Sequence, residues 1–126
     1  MNNFAPPPLP PRELYILLTL TQAERYGYGI RHAVNQLSLG AVTLTDSRTY
    51  PLLAKLMSDG LIEAAGVQPA GASYIERKHY RLSNLGRIRL EEEYARLDDA
   101  LKIMAAAGIG QPELPPEIQR LLETVR

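Results

Sequence analysis

Four consecutive polar residues, Asp46 to Thr49, carry the side chains best suited to hydrogen bonding with an external partner. The guanidinium group of Arg48 can donate two parallel hydrogen bonds, for example to the O6 and N7 atoms of guanine. The hydroxyl groups of Ser47 and Thr49 can bond either a base edge or a phosphate. Thr45, Asp46 and Ser47 are also frequent helix N-caps, so a helix is expected to begin here. The segment is therefore a candidate nucleic-acid contact, with an arginine that touches only phosphate as the alternative for Arg48.

The residues that follow predict a short amphipathic helix over 46–59. Pro51 is tolerated in its first turn, and Gly60 suits the left-handed residue after its end. Lys55 lies off the apolar stripe, where it either contacts phosphate or is merely solvated. Tyr50 is expected in the core, with its hydroxyl reaching a phosphate. The stripe itself has helical spacing and consists of Tyr50, Leu53, Leu56 and Met57.

The chain before this segment predicts a proline-rich arm and two helices. Residues 1–11 form either a flexible tail or an arm that crosses a partner subunit. Apolar residues at helical spacing predict a first helix over 11–22 and a second over 27–38. Tyr28, near the start of the second helix, either bonds a phosphate or packs.

The chain after it predicts a hairpin. Leu61–Ala65 and Tyr74–Leu82 are the expected strands, and Gly66–Ser73 is a loop on composition. Arg77 and Lys78 of the second strand are expected at a neighbouring minor groove or its phosphates. A plain solvated strand edge is the alternative.

A long helix is predicted from a cap at Ser83 to about Ala107, and a last amphipathic helix from Pro116. Apolar residues in the long helix alternate in steps of four and three, as in a coiled-coil seam. They favour dimerisation over packing on the chain's own domain. These candidate dimerisation residues are Leu90, Tyr94, Leu97, Leu101 and Met104.

Composition excludes several classes of function. The chain has 126 residues, two histidines and no cysteine, so no metal site and no cofactor is expected. It has no apolar run of membrane-spanning length and no signal-peptide pattern, which predicts a cytoplasmic protein. Residues 1–90 hold ten Lys and Arg against six Asp and Glu, although the net charge is zero. Such asymmetry is typical of a half that faces nucleic acid, or it is ordinary scatter of surface charge.

These motifs together resemble the PadR-type transcriptional regulators. Tyr26–Ile30 is similar to that family's second helix, Thr49–Leu53 with Asp59–Ile62 to its recognition helix and first wing strand, and Arg77–Ser83 to its second wing strand. The resemblance implies a mainly α fold with a small β-hairpin (α+β). This is a winged helix-turn-helix with a long C-terminal dimerisation helix. The expected organisation is an arm over 1–11, a DNA-binding domain over 12–83 and a dimerisation region over 84–126.

The resemblance also implies a repressor. Such a protein binds a palindromic double-stranded DNA operator as a homodimer and is released by a small aromatic or hydrophobic effector. Some relatives stack a tryptophan on the effector, but this chain has none, so stacking would fall to Tyr15 or Tyr94, or no effector exists. Ser47, Arg48 and Thr49 depart from the family's usual residues before the Tyr-Pro pair, so the operator cannot be taken from relatives.

Two other classes of function compete with this interpretation. A winged helix can serve as a protein–protein interaction module without specific DNA binding. An enzyme is the third class, but the sequence shows no nucleophile–base pair, carboxylate dyad or metal set, so no catalytic residue is predicted.

Overall fold

The computed structural model describes residues 6–69, 76–110 and 115–125. It divides into one unit that ends at Tyr94 and a second that begins at Ala95. Within the described residues, the helices and strands follow in the order α1 (Pro11–Leu20), β1 (Arg25–Tyr26), α2 (Gly27–Leu37), α3 (Asp46–Ser58), β2 (Ile62–Pro69), β3 (Glu76–Leu82), α4 (Asn84–Ala106) and α5 (Pro116–Val125).

The first three helices enclose the core of the first unit. α1 begins at Pro11, where a proline suits the first helical position because its missing N–H has no helical partner. α1 ends two residues before its predicted end, and α2 ends one residue before its predicted end. The side chains that fill the core belong to all three helices and to the sheet, and the fully buried ones include Ile16, Leu17, Ile30, Val34, Leu53 and Leu56.

Within the described ranges the sheet has three strands rather than the predicted two. β1 pairs antiparallel with β3, with Arg25 opposite Tyr80, and β3 also pairs with β2. The loop prediction is wrong for residues 66–69, because β2 continues to Pro69 after a register irregularity between Ala64 and Gly66. The rest of the predicted loop, and the first two residues of the predicted second strand, lie outside the described residues.

Ser83 caps α4, as predicted, and fixes the junction between the sheet and this helix. The Ser83 Oγ atom accepts a hydrogen bond of 2.9 Å from the Gly86 N–H and donates one of 2.5 Å to the Gly60 carbonyl. Gly60 has a φ of 78°, a left-handed conformation that glycine adopts without strain. One hydroxyl therefore joins the end of α3 to the start of α4.

The described part of the proline-rich arm packs against α4. Leu9 is only 8% exposed, and its N–H donates to the Glu93 carboxylate at 3.3 Å. Arg89 donates to the Pro7 carbonyl and lies 3.7 Å from Glu93. The alternative of a free tail is therefore wrong for residues 6–10, while residues 1–5 lie outside the description.

We expect Gly86→Ala to lower the free energy of unfolding by about 3 kcal/mol or more. A Cβ atom at Gly86 would lie 2.1 Å from the Leu61 carbonyl oxygen and 2.7 Å from the Leu82 Cδ1 atom. Gly29→Ala is the matched control, because the nearest atom to a Cβ there is 3.7 Å away and alanine favours a helix. Chemical denaturation at equal protein concentration measures both variants. Equal stability of the two would contradict the close packing at Gly86.

Candidate nucleic-acid interface

The N-terminal end of α3 presents an exposed polar face. Ser47 and Arg48 are both exposed, as predicted for contact residues. Thr45 has the extended backbone of an N-cap, and its hydroxyl lies 3.2 Å from that of Ser47 instead of capping the helix. Within the described part of the chain, no hydrogen bond or ion pair holds the Arg48 side chain. Its guanidinium group is therefore available to an external ligand.

The prediction that Thr49 contacts DNA is wrong. Thr49 is fully buried, and its hydroxyl donates to the Thr45 carbonyl at 2.7 Å. Thr49 lies four and seven residues before Leu53 and Leu56, so these three side chains face the core together.

Tyr50 lies outside the core, contrary to its predicted place in the apolar stripe. Its side chain is 56% exposed. Its hydroxyl oxygen would lie 2.9 Å from a Cβ atom built on Gly27, so the ring fills the space that this glycine leaves at the start of α2. Burial raises the pKa of the nearby Tyr80, and the charge of Tyr50 adds to that rise. The exposed part of the Tyr50 side chain leaves its phosphate contact a prediction.

Arg31 holds one flank of α3, and sequence reasoning missed it. Its Nε atom donates to the Leu44 carbonyl at 3.2 Å, and its Nη1 atom lies 2.5 Å from the Asp46 carboxylate. The guanidinium carbon also lies 5.9 Å from the centre of the Tyr28 ring, which is itself exposed and meets His32 edge-on. The available signal was the polar spacing of Tyr28, Arg31, His32 and Asn35 along one side of α2.

Lys55 holds the opposite flank of α3. Its Nζ atom is 3.0 Å from the carboxylate of Glu13, a buried residue of α1, and 3.6 Å from that of Asp59. The hydrogen bond and the charge of Glu13 raise the pKa of Lys55. These pairs engage the Lys55 ammonium group and compete with the predicted phosphate contact, although its side chain is still 55% exposed.

The exposed basic side chains of the hairpin are only partly described. Lys78 is exposed on β3, whereas the Arg81 side chain is paired with Glu63 at 2.9 Å. That hydrogen bond and the charge of Glu63 raise the pKa of Arg81. The Arg77 backbone pairs with that of Gln68, but its side chain lies outside the description.

The candidate dimerisation residues divide between core and surface. Leu90 packs against the core of the first unit, so it is half-buried without a second chain. Tyr94, the last residue of that unit, is 72% exposed. In the second unit Leu97, Leu101 and Met104 are all exposed on α4. Those three residues leave a solvent-facing apolar surface in the single chain.

The candidate effector residues do not line either of two cavities formed by described residues of the first unit. Tyr15 is half-buried against the core, and Tyr94 is exposed. The larger cavity, about 490 Å³, lies between α1, α3 and the preceding turn, with Arg12, Ser47 and Arg48 on its rim. Within the described ranges, the structure shows no helix suited to span a bilayer and no grouping of side chains that would hold a metal ion.

Three helices, of which the third has an exposed N-terminal face, and a β-hairpin define a winged helix-turn-helix, as expected. The model of the transcriptional regulator PadR-like family matches residues 16–92. The chain belongs to this family of transcriptional regulators, which confirms the resemblance.

Solved structures agree with this assignment. A PadR family transcription regulator from Clostridium difficile is 25% identical with a TM-score of 0.61, over 75% of this chain and 95% of its own. A PadR-like transcriptional regulator from Bacillus cereus is 26% identical with a TM-score of 0.61, over 79% and 92%. Bacillus subtilis PadR in complex with operator DNA is 26% identical with a TM-score of 0.58, over 87% of this chain and 52% of its own. Comparison with curated proteins gives no match.

We expect Lys55→Met to lower the free energy of unfolding by about 2 kcal/mol, between the values for surface and fully buried ion pairs. Removing the ammonium group leaves the buried Glu13 carboxylate without its partner. The salt dependence of DNA binding should not change. Lys78→Met is the matched control, because it removes an exposed lysine and should lower the salt slope without a comparable loss of stability. Chemical denaturation measures the stability of both variants, and binding titrations at several salt concentrations measure their salt slopes. A lower salt slope at unchanged stability for Lys55→Met would contradict the structural role of Lys55.

Proposed function

We propose that the chain is a repressor that binds a palindromic double-stranded DNA operator as a homodimer, with α3 in the major groove. The observation that carries the proposal is the exposed N-terminal face of α3, where Arg48 has no partner within the described residues. A groove about 12 Å wide admits such a helix, and a bidentate arginine contact distinguishes guanine from other bases. Bacillus subtilis PadR, to which the chain is similar, has been solved in complex with operator DNA, and this supports operator binding by this chain.

In this proposal the contacts have different tasks. Arg48 reads a base edge, and Ser47 bonds either a base or a phosphate. Tyr50 and Tyr28, both exposed beside the start of α3, contact phosphates and set its register. Lys78 attracts the DNA phosphate backbone beside the hairpin, and Arg77 is assigned the same role from its place on β3. None of these roles requires catalysis, a metal ion or a cofactor.

The homodimer rests on the exposed apolar residues of the second unit. Leu97, Leu101 and Met104 on α4 form a seam of coiled-coil spacing. Ile118, Leu121 and Leu122 on α5 are also exposed and lie on one helical face. A second copy of the chain supplies the cover that such surfaces need. Release by a small aromatic effector stays a prediction from the family resemblance, with Tyr94 the more exposed of its two candidate side chains.

Selection of bound fragments from genomic DNA, with affinity measured at several salt concentrations, tests the proposal. A DNA-binding regulator enriches a palindromic sequence, and its affinity falls steeply with salt because phosphate contacts release counterions. A winged helix that serves only as a protein–protein module enriches no sequence and shows no such dependence.

We expect Arg48→Ala to weaken binding to the selected operator by about 1–3 kcal/mol, because a bidentate base contact is lost. Binding to unrelated DNA should weaken much less. Lys78→Ala is the comparison, since loss of a phosphate contact weakens binding to all sequences to a similar extent. Fluorescence anisotropy with the operator and with unrelated DNA measures the ratio of the two affinities for each variant. Equal operator affinity of Arg48→Ala and the unchanged protein would remove Arg48 from base reading.

We expect Leu101→Glu to convert the homodimer to monomer, because it places a charge within the apolar seam. Ala95→Glu is the control: it lies on the same helix and is exposed, but helical geometry puts it on the opposite side. Sedimentation velocity gives the mass of each variant. A dimer that survives Leu101→Glu but not Ala95→Glu would place the interface on the other face of α4.

A further inference from the structure

A second, smaller cleft lies between α2 and the segment that leads into α3. Its volume is about 240 Å³, and its lining residues are Tyr28, Arg31, His32, Asn35, Thr43 and Leu44. We propose that this donor cleft binds a phosphate group of the operator backbone, which makes Arg31, His32, Asn35 and Thr43 part of the DNA-binding surface. The inference rests on the proposed DNA binding and names a contact within it.

The chemistry of the lining favours an anion. Five of its six side chains carry a hydrogen-bond donor: a phenol, a guanidinium, an imidazole, an amide and a hydroxyl. None of the six carries a carboxylate, although the Asp46 carboxylate pairs with Arg31 beside the cleft. The volume is below the range of about 300–1,000 Å³ typical of pockets for drug-sized molecules. The cleft is therefore matched to a small anionic group rather than to an organic effector.

Arg31 is positioned before any ligand arrives. Two of its nitrogen atoms are bonded to the Leu44 carbonyl and the Asp46 carboxylate, and its guanidinium lies over the Tyr28 ring. A guanidinium group has five N–H donors, so these two bonds leave donors for a phosphate. Because the side chain is already ordered, binding costs less rotamer entropy than it would for a mobile arginine.

The position of the cleft fits a backbone contact. Leu44 and Thr43 directly precede α3, and Asp46 is its first residue. A helix in the major groove has a phosphate backbone on either side of it. A phosphate held in the cleft would fix the start of α3 at the groove edge, while the exposed face of α3 remains turned to the bases.

Neutral replacement of single phosphates tests the contact. Methylphosphonate groups are placed one at a time along a half-site of the selected operator. One replacement should weaken binding of the unchanged protein by about tenfold, as expected for loss of a charge-assisted hydrogen bond. The double variant Tyr28→Phe with His32→Phe removes two donors but keeps both rings. It should bind unmodified operator more weakly, and it should lose little further affinity when that one phosphate is replaced.

Gln36→Ala is the matched control, because Gln36 is exposed on α2 but does not line the cleft. This control variant should lose as much affinity as the unchanged protein when that phosphate is replaced. Asn35→Ala repeats the test with a single donor if the double variant unfolds on denaturation. If the double variant loses the same affinity as the unchanged protein at every replaced phosphate, the inference is overturned and operator binding still stands. A protein that binds no DNA at all would overturn the proposed function and this contact with it.

Discussion

The fixed pose of α3 depends on charged contacts at both of its flanks. On the α2 side Asp46 lies 2.5 Å from Arg31, and on the α1 side Lys55 lies 3.0 Å from the buried Glu13. Between them the core face is buried from Thr49 onward, which leaves only the outward face free to meet a ligand. A helix held on three sides presents its side chains at a fixed angle, and specific base contacts require such a fixed geometry.

The same arrangement divides the basic residues by task. Arg31 and Lys55 each pair with a carboxylate, so much of their charge is neutralised within the fold. Arg48 is exposed on α3, and within the described residues no partner neutralises it. This explains how a chain with zero net charge can still present a positive surface. The local balance beside α3, rather than the total charge, governs attraction to phosphate.

Sequence periodicity predicted the five helices of the described residues, because amphipathic spacing and caps act over a few residues, and the family resemblance supplied the fold class. It failed where distant segments meet. Thr49 and Tyr50 both suit the apolar stripe by spacing, and the choice between them depends on where α2 approaches α3, at Gly27. The pair of Lys55 with Glu13 joins residues 42 positions apart, and β1 has only two residues. No local sequence pattern predicts either the Lys55–Glu13 pair or the strand β1. Arg31 lies in a polar pattern along α2, but that pattern does not show its contacts with Leu44 and Asp46, which depend on how α2 and α3 pack.

The helix α4 has one part that packs on the first unit, which contains α3, and a later part that is proposed to form the dimer. Its first part serves the first unit, where Leu90 packs on the core and Glu93 binds the arm. Its later part, from Leu97 onward, leaves apolar residues exposed. If those residues pair with a second copy, two copies of α3 act on one operator. The second half-site then binds at a high effective concentration, so modest contacts at each half-site suffice for tight binding. A short recognition surface such as that around Arg48 gains the most from such a dimer.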